Sequence, residues 1–207
     1  MKEFITVKDR SMGEYDEKKS RFIAVLVPVS TPEEAQSVID SVKKNNVGAR
    51  HNCYAFRLSG GTERSSDDGE PSGTGGKPLL ELLQHNNLQD VLIVVTRYFG
   101  GVLLGVGGLK RAYTAAALEA LSNAVKLKKQ EAVKISLGLD YSAFDKFSFI
   151  LNSADGEVEE KEFATEIKLS AVIPKNNYSL FEDELGKSLP TGVKITEKEE
   201  ILYFFEK

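Results

Sequence analysis

The sequence predicts an α+β protein of two domains. Three observations lead there. The apolar, β-branched run Arg21 to Val29, the segment His51 to Leu58 and the continuous apolar run Val91 to Val95 read as strands. Between and after them lie segments with helical apolar spacing. Past Lys126-Leu127-Lys128-Lys129-Gln130 the composition changes: glycine becomes scarce and acids multiply. A hinge is expected at that segment, dividing the 207 residues into domains 1–130 and 131–207.

The elements follow in order. After the strand Arg21 to Val29, Thr31 is a suitable N-cap, Pro32 fits the first helical position and Glu34 completes a capping box. A helix is expected from Pro32 to about Asn45, with Ala35, Val38, Ile39 and Val42 inward. His51 to Leu58 is the next strand. Ser59 to Gly76 has no apolar period and reads as one long loop. Pro78 opens a short helix that Asn86-Asn87 closes. Val91 to Val95 is apolar without alternation, the mark of a strand covered on both faces. A glycine-rich turn then leads into a helix from about Leu109 to Val125. Its expected buried stripe is Leu109, Tyr113, Ala116, Ala117, Ala120, Leu121 and Ala124. The second domain reads as strand 132–140, helix 142–153, strands near 157–163 and 165–173, helix 177–188 and strand 193–206. That βαββαβ order is ferredoxin-like.

The totals exclude several classes. No apolar run approaches 18 residues, so no membrane-spanning helix is expected. The polar, mixed-charge N-terminus lacks the apolar stretch of a signal peptide. Cys53 is the only cysteine, so no intramolecular disulfide forms, and His51 and His85 add too few ligands for a common zinc site. A reducing cytoplasm is the expected location. Residues 1–130 hold 18 basic and 15 acidic side chains, a net +3; residues 131–207 hold 9 and 16, a net −7. An anionic partner would meet the first domain. A duplex-DNA binder would carry a stronger basic excess.

Eleven of the 17 glycines fall in two windows, Gly60 to Gly76 and Gly100 to Gly108. Such concentration serves either tight turns and close packing or a ligand's approach to the backbone. The second window joins a buried strand to a helix, where anions rest on free N–H groups. Lys110 and Arg111, placed in the first helical turn, would oppose the helix dipole at a cost of about 0.3–1 kcal/mol each, which a bound phosphate would relieve. The Walker pattern fails, because Gly76-Lys77 is followed by Pro78; the dinucleotide fingerprint fails as well. No nucleotide cofactor is expected. In the first window Asp67, Asp68 and Glu70 could hold a cation, pair with Arg50, Arg97 or Arg111, or simply be solvated. Cys53 fits a buried small hydrophobe better than a nucleophile, and His51 could donate a hydrogen bond at the glycine-rich surface.

Four segments make the sequence resemble the bacterial two-domain branch of the YigZ/IMPACT family. They are K19-S-R-F-I-A24, A49-R-H-N-C-Y-A-F-R57, D67-D-G-E-P-S-G-T-G-G-K-P78 and V95-T-R-Y-F-G-G-V-L-L-G-V-G-G-L-K-R-A-Y113. The resemblance implies a first domain folded like the second domain of a small-subunit ribosomal protein, and a second resembling the last domain of elongation factor G. Eukaryotic relatives act in translational control by competing for an activator of a stress kinase. The domain that serves that activity has no match in this sequence, so the activity does not carry over. For the bacterial branch the resemblance implies binding to RNA or the ribosome. Lys77, Arg97, Tyr98, Lys110, Arg111 and Tyr113 would then give phosphate contacts or stacking. Gly100, Gly101, Gly107 and Gly108 would expose backbone donors, Asp67, Asp68 and Glu70 would position the basic groups or a cation, and Arg50, His51, Ser72 and Thr74 would support them. Two alternatives stand beside this: an enzyme acting on a phosphorylated small molecule in the same cleft, and a protein–protein adaptor docking through the acidic second domain.

Overall fold

A computed structural model describes residues 3–189 and 191–206. The chain is α+β and divides into two compact units, Phe4–Leu127 and Lys128–Phe205. No helix among the described residues is long and apolar enough to cross a membrane.

The first unit is built on one antiparallel sheet. Its strands are β2 (Ser11–Glu17), β3 (Ser20–Pro28), β4 (His51–Arg57), β5 (Glu63–Ser66) and β6 (Val91–Tyr98), ordered β2-β3-β6-β4-β5. A short β1 (Phe4–Val7) precedes them and bridges Ile5 to Leu88. Helix α1 (Pro32–Asn45) covers one face with Ala35, Ile39 and Val42 against Val25, Val27, Phe56, Leu92 and Val94. Helices α2 (Gly76–His85) and α3 (Gly105–Ser122) cover the other, burying Leu79, Leu83, Ala112, Tyr113, Ala116 and Ala117 on Phe22, Ala24, Ile93 and Val95. β6 is therefore buried on both faces, as its unbroken apolar run requires. The α1 start carries its expected cap: Thr31 Oγ1 accepts the Glu34 N–H at 3.1 Å. Glu34 Oε2 accepts the N–H of Ser30 at 2.7 Å, one residue outside the usual capping box.

Several expectations need correction. The first twenty residues contain β1 and the edge strand β2. β2 turns Ser11, Gly13 and Tyr15 toward α3, so its inward row has no aliphatic residue to announce it. The helix lies so close that a Cβ on Gly13 would fall 2.2 Å from Ala120 N. The loop Ser59 to Gly76 contains β5, an exposed edge strand without apolar alternation. Helix α3 starts at Gly105, four residues before the expected Leu109. Lys126 to Gln130 lies within the extended strand β7 (Lys126–Leu139), and the division between the two units falls inside it, after Leu127.

The second unit continues with a short 3-10 turn Tyr141–Ala143, α4 (Phe144–Ser153), β8 (Glu157–Phe163), β9 (Ile167–Pro174), α5 (Lys175–Ser188) and β10 (Val193–Glu206). Strands β7 to β10 lie in the order β10-β7-β9-β8. Helices α4 and α5 pack Phe147, Ile150, Leu151, Phe181 and Leu185 onto Ile135, Leu137, Leu169 and Ala171. With the βαββαβ sequence, this is the ferredoxin-like arrangement.

Candidate functional site

The loop from Asp67 to Gly75 joins β5 to α2, and its polar groups turn inward. Asp67 Oδ1 accepts the N–H groups of Gly75 and Gly76, and Oδ2 that of Gly73, each at 2.8 Å. Asp67 thus caps the N-terminus of α2 from outside the helix, giving its free N–H groups an anion of the protein's own. Burial works against the charge, but the N–H groups of Gly73, Gly75, Gly76 and Thr74 outweigh it and hold the carboxyl below its ordinary range. Asp67→Asn should therefore cost about 1–3 kcal/mol near neutral pH. A depressed folded pKa means the contribution is complete above the ordinary value of 3.8 and is lost as pH falls through the lower folded value. Melting of both proteins along an acid series should show the gap closing only in that window; a gap constant into strong acid would refute the capping role.

Asp68, with φ of 43°, accepts the Asn52 N–H at 2.7 Å on Oδ2 and the Lys43 ammonium at 2.7 Å on Oδ1. Its carbonyl accepts from His51 Nδ1 at 2.9 Å, which fixes the neutral ring with its proton on Nδ1. Glu70 is buried beneath the loop. Its Oε1 accepts from Arg97 Nη1 at 2.7 Å and from the Tyr113 hydroxyl at 2.9 Å. Arg97 is only 5% exposed. Its guanidinium lies 5.5 Å from the Phe22 ring centre and 5.3 Å from that of Phe99, and its Nε has no hydrogen bond among the described residues. Arg97 and Tyr113, expected to reach a ligand's phosphates or bases, are thus part of the interior. The acid that neutralises Arg97 is Glu70. Burial, then Cys53 beside it, pushes the Tyr113 hydroxyl upward. Burial pushes the Cys53 thiol to about 12, and Sγ donates to the Asp67 carbonyl at 3.0 Å, so it is no nucleophile near neutral pH.

The remaining expected residues divide. Thr74 is buried and donates to the Pro71 carbonyl at 2.6 Å. Tyr98 is half-buried and donates to Asn46 Oδ1 at 2.7 Å. The Gly100 N–H is used by Ser20 Oγ at 3.2 Å. Gly108 is the fourth residue of α3 and buried, so Gly107 alone of that pair lies among the unpaired N–H groups of the first turn. Lys110 and Arg111 lie in the second turn, not the first. Lys77 is exposed, 3.9 Å from Glu81 Oε1 on the same helix, and Arg50 and Ser72 are exposed elsewhere. No group of three or more His, Cys, Asp or Glu side chains among the described residues could hold a metal ion. The small-molecule reading loses the acids it needed, since Asp67 and Glu70 are committed to the protein's own donors.

The exposed rim lies between β6 and the second turn of α3. Phe99 is 44% exposed, Val102 40%, Leu103 83% and Val106 55%, with Gly101 open between them. Lys110 and Arg111 follow, exposed and without an ion pair among the described residues. Beside it stands the β2–β3 turn Lys18-Lys19, so close to Gly100 that a Cβ there would fall 2.0 Å from the Lys19 carbonyl oxygen. Lys19 and the four apolar side chains lie inside the family segments of the sequence, but only exposure and backbone contact mark them, with Lys18, as a surface.

The family model of the Impact N-terminal domain matches residues 18–121. The IMPACT family member YvyE of Bacillus subtilis is 34% identical over 206 residues, covering 99% of this chain and 94% of its own. The chain belongs to the IMPACT family. The family member YigZ of Escherichia coli is 33% identical over 174 residues, 82% of this chain and 85% of its own. A crystal structure of a hypothetical protein covers 94% of this chain and 97% of its own, with a TM-score of 0.60 and 28% identity. Rabbit protein IMPACT is 38% identical over 96 residues, 43% of this chain and 30% of its own. The matched IMPACT segment contains the Asp67 cap, the Glu70–Arg97–Tyr113 cluster and the rim with its lysine turn.

Proposed function

We propose that this IMPACT family chain is a regulator of translation that binds single-stranded RNA of the ribosome through the rim from Phe99 to Arg111. The observation that carries the reading is four large apolar side chains left exposed before two cations that have no ion pair among the described residues. Phe99 offers a ring on which a base can stack, a contact worth about 1–3 kcal/mol and tolerant of base identity. Lys110 and Arg111 neutralise phosphates, and Gly101 and Gly107 let the backbone approach. The modest net charge of the first domain makes such binding local and steeply salt-dependent. The link to translation comes from the family resemblance, whose eukaryotic members act in translational control.

Lys110→Glu with Arg111→Glu should weaken binding to a uridine-rich single strand by at least about tenfold at low salt, with a shallower salt dependence. Phe99→Ala should weaken it with the salt slope unchanged, because stacking releases no counterions. Fluorescence anisotropy over a salt series measures both. Affinity and slope at wild-type values in the charge-reversed variant would rule the rim out. A second reading, a ribosome-associated protein as partner, is favoured by the exposure of Leu103 and Val106. It predicts binding to ribosomes with little response to salt and none to free RNA.

A further inference from the structure

The β2–β3 hairpin turns through two residues, Lys18 and Lys19, between the paired Glu17 and Ser20. Their φ angles are 46° and 66°. Two consecutive left-handed residues make a type I′ turn, for which Asn-Gly is the preferred pair. Six described non-glycine residues have positive φ; four are Asn or Asp, which tolerate it, and the other two are these lysines. A lysine gains nothing in that conformation from its own side chain, so each strains the backbone.

The strain is held from behind. Ser20 is fully buried, and its Oγ accepts from the Gly100 N–H at 3.2 Å and stands 3.5 Å from Arg97 Nη2. The backbone of Gly100 fits against Lys19 where no Cβ could enter. The fold thus fixes the turn against its local preference. The result is two consecutive exposed lysines, Lys19 set against Gly100 of the rim, and neither has an ion pair among the described residues.

From this geometry we infer that Lys18 and Lys19 form a grip for successive phosphates of a single RNA strand, whose bases lie on the neighbouring rim. The inference rests on the RNA reading above and adds to it a contact on a separate hairpin. Strain kept at a binding site exchanges stability for function, so relieving it should move the two in opposite directions.

The test uses the full chain as wild type, as Lys18→Asn/Lys19→Gly and as Lys18→Glu/Lys19→Glu. Each is melted and titrated with a short uridine-rich single strand over a salt series. The Asn-Gly variant should melt higher, by about 4–8 °C. It should also bind about tenfold more weakly, with a salt slope lower by about 1.4, two phosphates at about 0.7 each. The Glu-Glu variant keeps the strain, so it should lose binding without melting higher. Wild-type affinity and slope in the Asn-Gly variant would overturn the grip and leave the RNA reading standing. An unchanged melting temperature in that variant would overturn the strained-turn premise. A folded wild type that fails to bind RNA at low salt would overturn the RNA reading and the grip together.

Discussion

Glu70→Ala should destabilise the first unit by about 3–5 kcal/mol, the range for removing one partner of a buried ion pair. Arg97 and Glu70 have side chains only 6% and 3% exposed, and they meet at 2.7 Å. Without the carboxylate, Arg97 keeps a distant Ser20 hydroxyl and two aromatic rings, and Tyr113 loses its acceptor. The guanidinium cannot shed its charge near neutral pH, so the loss is not softened by deprotonation. Arg97→Met alone should cost a similar amount, because it strands Glu70. The double variant Glu70→Leu/Arg97→Met should recover much of the loss, since a buried pair exchanged for well-packed apolar groups is often neutral. Urea unfolding of the four proteins gives the coupling energy. Additive losses would mean that the pair does not act as one unit.

Gly13→Ala is the second large effect. The added Cβ would stand 2.2 Å from the backbone nitrogen of Ala120, 2.7 Å from the Ala116 carbonyl oxygen and 2.7 Å from Glu119 C. These are helix backbone atoms, so no side chain can rotate away. Either β2 or α3 must move, and α3 is anchored by fully buried Ala112, Tyr113, Ala116, Ala117 and Ala120. The cost should reach the upper end of overpacking, about 3 kcal/mol. Ser11 Oγ, which donates to the Ala120 carbonyl at 2.9 Å, should lose that bond at the same time. Thermal melting measures the loss, and hydrogen exchange should show β2 and the last turns of α3 opening together. A variant as stable as wild type would mean that strand and helix are not in this contact.

These two sites also mark where the sequence was readable. β3 and β6 announce themselves by aliphatic runs, α1 by its Thr31 cap and inward stripe, and the second unit by the order of its elements. β2 does not, because helix backbone fills the space where its inward side chains would stand. The Glu70–Arg97 pair had a partial signal. Along β6, Ile93, Val95 and Arg97 share a face by alternation, and the first two are core. An arginine in that row needs a buried acid, which Glu70 supplies from a loop whose path no local pattern specifies. The glycine windows were ambiguous for a physical reason: a ligand and the protein's own backbone make the same demand for open space. Gly75 and Gly76 serve the protein, through Asp67, and so does Gly100, through Lys19 and Ser20. Gly101 and Gly107 are left on the surface. The exposed apolar rim was hidden because Phe99, Val102, Leu103 and Val106 look like core residues until the fold leaves them outside.

The rim from Phe99 to Arg111 should hold this protein on the ribosome. Co-sedimentation with purified ribosomes and separated subunits at several salt concentrations tests it most directly, with wild type beside Lys110→Glu/Arg111→Glu. Wild type should pellet with ribosomes at low salt, be released as salt rises, and fail to pellet once both charges are reversed. Failure of wild type to bind at low salt, or a charge-reversed variant that pellets as well as wild type, would contradict it.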